Sequence, residues 1–96
     1  MATTGESIRR RVRIVGRVQG VGFRESCRRE ARLLGVAGSA RNLADGSVEA
    51  VFEGPAPLVE QMLLWCRHGP RMAHVRQVEV TTETPTGLTG FTIGHW

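Results

Sequence analysis

The sequence predicts an α+β fold, a βαββαβ sandwich in which two helices cover one face of an antiparallel sheet. Three observations carry this reading. Apolar residues alternate with charged ones from Ile8 to Val15 and again from Val48 to Glu53, the period of half-buried strands. Two other runs repeat their apolar residues at helical spacing. Turn residues mark the handovers between the runs. A length of 96 residues suits one domain, large enough to bury a core and too small for two. Residues 1–96 are therefore read as a single domain, with 1–6 expected as a flexible N-terminus.

Ile8, Val12 and Ile14 fall on one face of the first strand and Arg9, Arg11 and Arg13 on the other, with Arg10 a misfit on the inner side. Phe23, Cys27, Ala31 and Leu34 recur at spacings of four, four and three, which predicts an amphipathic helix that Gly35 stops. A short strand is expected from about Ala37 to Asn42, and Asp45-Gly46 then signals a hairpin. The returning strand sets Val48, Ala50 and Phe52 against Ser47, Glu49, Val51 and Glu53. Gly54-Pro55-Ala56-Pro57 opens a second helix, whose Val59, Met62, Leu63 and Cys66 share a face; His68-Gly69-Pro70 ends it. A fourth strand is expected from about His74 to Val80, with imperfect alternation. Thr81 to Gly90 reads as a loop, and Phe91-Thr92-Ile93 as a short closing strand. This order is the ferredoxin-like arrangement, which hosts many functions and settles none.

Charge is distributed unevenly. All 13 basic residues are arginines, and residues 1–41 carry +7 while 42–96 carry −3. A positive half would draw anionic substrates toward it; a solvated basic face fits the same count. Cys27 and Cys66 each fall on an apolar helix face, as small core residues do, and suggest no disulfide framework. The N-terminal residues lack the apolar segment of a leader, and no apolar run could span a bilayer. A cytoplasmic protein is expected.

The segment Gly16-Arg17-Val18-Gln19-Gly20-Val21-Gly22-Phe23-Arg24 lies where the first strand gives way to the first helix. Glycines let backbone amides approach a ligand closely, and a helix start adds free N–H donors with a partial positive charge. The amides of Gln19, Gly20, Val21, Gly22 and Phe23 are the natural donors to one phosphate-sized anion. Arg24, on the opening turn, adds a planar fork that matches phosphate oxygens. Glycine spacing alone describes an ordinary turn beside a surface arginine at least as well. Asn42, the chain's one asparagine, ends the second strand, where its carboxamide could hold a water molecule. An asparagine before a turn is also ordinary loop chemistry.

Together these residues form a larger pattern. The Gly16–Arg24 segment, followed by Gly38-x-x-Arg41-Asn42-x-x-Asp45-Gly46-Ser47-Val48-Glu49, resembles the two signature blocks of the acylphosphatase family, and the similarity runs on to Phe91-Thr92-Ile93. The resemblance implies hydrolysis of small acyl phosphates to a carboxylate and inorganic phosphate, without metal or cofactor. It gives Arg24 the part of the phosphate-binding arginine and Asn42 that of the water-positioning asparagine. The amides of Gln19 to Phe23 become the phosphate loop. Ser39 departs from the pattern, since many members carry an aromatic there, and His95-Trp96 lacks the Arg-Tyr-like ending common in the family.

Other phosphate chemistries fit poorly. A cysteine phosphatase needs an arginine six positions after its cysteine, yet Arg71 stands five after Cys66, and Leu33 six after Cys27. A nucleotide-binding Gly-Lys-Ser/Thr is excluded because the chain has no lysine. His68, His74 and His95 are scattered without ligand partners, so no metal is expected. A basic nucleic-acid-binding module is the alternative from another class. Phe23 and Phe52 are assigned to the core, however, which leaves no evident platform for stacking bases. A related anion-binding domain without turnover is the other alternative. A monomer is expected.

Overall fold

The computed structural model describes residues 6–94 and contains the expected elements in the expected order. They are β1 (Ser7–Arg17), α1 (Phe23–Leu34), β2 (Ala37–Asn42), β3 (Val48–Pro55), α2 (Ala56–Cys66), β4 (His74–Glu83) and β5 (Phe91–Ile93). Apart from Glu6, the N-terminal segment expected to be flexible lies outside the described residues, as does the His95-Trp96 ending.

The sheet runs β4-β1-β3-β2-β5. Its four long strands pair antiparallel, and β5 adds a parallel edge beside β2. That edge requires the chain to cross from one side of the sheet to the other between Glu83 and Phe91. The distance is about 19 Å, at roughly 4.8 Å for each of four strand spacings. Glu53 of β3, mid-way along this path, fastens the crossing. Its Oε2 accepts from the amides of Gly87 at 2.7 Å, Leu88 at 3.0 Å and Thr86 at 3.1 Å.

β4 extends to Glu83, into residues read above as loop. Thr81, Thr82 and Glu83 continue the ladder opposite Arg11, Arg10 and Arg9. β-branched threonines suit the pleated surface, and Glu83 accepts from Arg9 Nε at 2.8 Å and Arg11 Nε at 2.6 Å. The misfit Arg10 is half-buried and turns back, its Nη1 donating to the Arg9 carbonyl at 2.9 Å.

Between the helices and the sheet lies one core. Val12, Ile14, Cys27, Phe52, Val59, Met62 and Cys66 are wholly buried, and Phe23 nearly so. A large apolar side chain buried in this way contributes roughly 1.5–3 kcal/mol. Two ring pairs tie distant elements together. Phe23, the first residue of α1, meets Trp65 of α2 at 5.2 Å, and Phe52 of β3 stacks on Phe91 of β5 at 6.1 Å. No helix among the described residues is long and apolar enough to cross a membrane.

The open face of the sheet resolves the charge imbalance of the sequence. Arg9, Arg11, Arg13 and Arg41 pair there with Asp45, Glu49, Glu53, Glu79 and Glu83. Donating to Glu83 pushes Arg9 and Arg11 above their ordinary basicity, and donating to Asp45 does the same for Arg13. Arg9, Arg11 and Arg13 of β1 are thus matched by acids that the sequence places in the opposite half. Part of the remaining positive charge lies on α1, where four arginines stand beside two glutamates.

Candidate active site

β1 leads into the site through a register shift between Val15 and Gly16, and buried Val18 anchors the chain as it leaves the sheet. Gly20 and Gly22 then both adopt φ 76°, a left-handed conformation that costs a side-chain-bearing residue energy. Gly22 is the N-cap of α1 and offers no capping side chain. The first helical bond is donated by Ser26 to the Gly22 carbonyl at 3.0 Å, and the amides of Gln19 to Phe23 find no acceptor among the described residues. The turn therefore presents unpaired donors at the positive end of a helix. Phe23, locked against Trp65, fixes the helix beneath it.

Arg24 follows on the first turn. It is half-buried, and its Nη1 makes one long bond, 3.3 Å, to the Gly94 carbonyl. Among the described residues, most of its five donors remain unspent.

Asn42 closes β2 opposite Val48, and its carboxamide has no hydrogen-bond partner among the described residues. Gly38 sets the approach of this strand. A Cβ there would lie 1.7 Å from the Val51 carbonyl oxygen, so the close β2–β3 contact admits only glycine. Ser39, by strand alternation, faces away from the side that Ala40 and Asn42 occupy.

The hairpin after Asn42 is tightly held. Asp45 accepts from the Ser47 amide at 2.9 Å and from Arg13 Nη2 at 2.6 Å. Hydrogen bonds from Arg13 and Ser47 keep its carboxyl well below the usual carboxylate range. The side chain of Gln19 reaches this hairpin, with Nε2 donating to the carbonyls of Leu43 at 2.8 Å and Ser47 at 2.9 Å.

Gly20, Gly22, Phe23, Arg24 and Asn42 border one cleft of about 580 Å³. The acylphosphatase family pattern matches residues 10–93. The chain belongs to the acylphosphatase family.

Acylphosphatases of Thermococcus kodakarensis and Gloeobacter violaceus are 56% and 51% identical to it, over 90% and 91% of this chain and 94% of each of theirs. The solved acylphosphatase of Coxiella burnetii has a TM-score of 0.88 at 32% identity, covering 92% of this chain and 93% of that one. That of Bacillus subtilis also has a TM-score of 0.88 at 32% identity, covering 92% of this chain and 99% of its own.

Within this acylphosphatase frame the sequence-derived residues divide. Gln19 and Val21 do not border the cleft. The Gln19 side chain turns to the hairpin, and Val21 packs on the core. Sequence reasoning missed the Gln19 side chain as a tie between loop and hairpin, because its acceptors are main-chain carbonyls. It also missed Arg28, Arg32 and Thr92, which continue the cleft beyond Arg24. The spacing of Arg24, Arg28 and Arg32, at i, i+4 and i+8, was the available signal for two of them. Among the described residues no group of three His, Cys, Asp or Glu gathers as metal ligands would.

Proposed function

We propose that this cleft hydrolyses the carboxyl–phosphate bond of small acyl phosphates, releasing a carboxylate and inorganic phosphate. The carrying observation is that unpaired amides, the Arg24 guanidinium and the Asn42 carboxamide converge on one cavity. The loop amides from Gln19 to Phe23 hold the phosphoryl oxygens; of these residues Gly20, Gly22 and Phe23 border the cleft, and Gln19 and Val21 do not. Arg24 closes the ring of donors. Charge-assisted hydrogen bonds contribute roughly 1.5–3 kcal/mol each, against about 0.3–1 kcal/mol for the helix-end field. Direct donors therefore decide phosphate affinity.

The Asn42 carboxamide oxygen accepts from a water molecule and aims its oxygen at phosphorus, opposite the acyl oxygen. As that water adds, the P–O bond to the acyl group breaks and its electron pair leaves on the carboxylate. A carboxylate is a weak base, so its departure requires no strong acid. Arg24 cannot accept a proton and Asn42 is no base; the proton of the attacking water passes to an oxygen of the phosphate itself. Positioning and charge stabilisation supply the rate, as in phosphoryl transfer generally.

Several features support a self-contained module over a nucleic-acid binder. The three phenylalanines are buried, and the arginines of the open sheet face are spent on acids. Cys27 and Cys66 are free and buried, which suits a reducing cytoplasm. The site is assembled within one chain, as a monomer would need. The test is phosphate release from benzoyl phosphate with a chelator present. We expect hydrolysis that chelation leaves undiminished; no hydrolysis, or its loss on chelation, overturns the reading.

A further inference from the structure

The cleft is longer than phosphate binding requires. Arg24, Arg28 and Arg32 stand on one flank of α1, each about 6 Å further along the axis, and all three border the same cavity. Thr92 and Ile93 of β5 form part of its opposite wall. A volume of about 580 Å³ lies in the range that encloses a whole small-molecule ligand, not one anion alone. The remainder of that space is where the acyl half of a substrate would lie.

Charge along this extension is uneven. Arg28 is spoken for, with Nη2 donating to both carboxylate oxygens of Glu25 at 2.6 and 2.7 Å. Arg32 has no acidic partner among the described residues and makes a single bond, 3.3 Å, from Nη2 to the Phe91 carbonyl. Helical side chains lean toward the N-terminus of their helix, which inclines Arg32 toward Arg24. Once a phosphoryl group occupies Arg24, the uncompensated cation left among the described residues of the cleft is Arg32.

We propose that Arg32 is a specificity-determining residue for the acyl half, selecting acyl phosphates whose acyl group ends in a second anion, a carboxylate or phosphate. Arg28 and Glu25 form the neutral floor between the two anion sites. This assignment rests on the acyl-phosphate reading of the site.

The experiment compares benzoyl phosphate with 4-carboxybenzoyl phosphate, a rigid pair differing only in the distal carboxylate. The readout is the ratio of their kcat/KM values. Wild-type protein should favour the carboxylated substrate. Because Arg32 is exposed, Arg32→Gln should lower the ratio by about 5–10-fold, chiefly through KM for the carboxylated substrate. Arg32→Lys keeps the charge and should retain most of the preference. Equal kcat/KM values in wild type, or a ratio unmoved by Arg32→Gln, overturn the assignment while leaving the hydrolase standing. Hydrolysis of neither substrate overturns the acyl-phosphate reading and this assignment with it.

Discussion

Gln19 bonds through Nε2 to the Leu43 carbonyl at 2.8 Å, so the loop before α1 and the hairpin after Asn42 are joined across 24 positions of sequence. A second bond to Ser47 makes the tie two-pronged. The amide donors and the Asn42 carboxamide are thereby kept at one separation. Gln19→Ala removes both bonds, at about 1 kcal/mol each. Turnover and phosphate affinity should fall by a factor between about 5 and 30. Gln19→Glu should be worse, because its carboxylate would face two carbonyl oxygens. Phosphate titration beside thermal melting checks this. A lowered melting temperature with unchanged phosphate affinity would reduce Gln19 to a purely structural brace.

Arg24 should tolerate no replacement. Arg24→Ala is expected to abolish phosphate binding and turnover together. Arg24→Lys should also fail badly, since a point charge cannot supply the planar fork. The residue lies half-buried with one long bond to Gly94, so neither variant should unfold the protein. Calorimetric titration with inorganic phosphate and a steady-state assay decide it; near-normal activity in the lysine variant removes Arg24 from its role.

Asn42 should separate binding from chemistry. Its carboxamide, without a hydrogen-bond partner among the described residues, is assigned to the water and not to the phosphate. Asn42→Ala should lower kcat by about 10²–10³, the usual cost of losing one preorganised group. Inorganic phosphate should still bind. Parallel losses in binding and rate would contradict that division of labour.

The parts of this fold legible in the sequence were those written as periodicity. The core faces of β1, α1 and β3 and the stop at Gly35 follow from local spacing and turn residues. What escaped was set by partners distant in sequence. Thr81-Thr82-Glu83 has no telling alternation, and its strand pairing becomes visible only with Arg9 and Arg11 beside Glu83. Summing charge by halves misled for the same reason, because the sheet interleaves β1 with the acid-bearing β3 and β4. Arg24 and Asn42, singled out through their motifs, both border the cleft. Arg28 and Arg32 had the right spacing but gained meaning only from a cleft that extends beside them.

Glu53 gives the last prediction, because it is charged while only 4% exposed. Burial alone would raise its carboxyl. Hydrogen bonds from Arg9 and from the amides of Thr86, Leu88 and Gly87 outweigh burial and hold the pKa down to about 2. Arg11 and Arg9 likewise lower Glu83. Each folded-state value lies below the ordinary 4.5, so the unfolded chain takes up the proton first. The stability these groups contribute is complete above about pH 4.5 and drains away as pH falls toward 2. Urea midpoints should therefore drop steeply across that window. Glu53→Gln should be less stable at pH 7, since a neutral amide oxygen accepts more weakly and its NH2 would oppose the Thr86–Leu88 amides. It should also show a shallower acid slope. The same loop delivers β5 to the wall of the cleft, so the variant should raise KM as well. An acid slope identical to wild type would mean that the buried carboxylate is not what titrates.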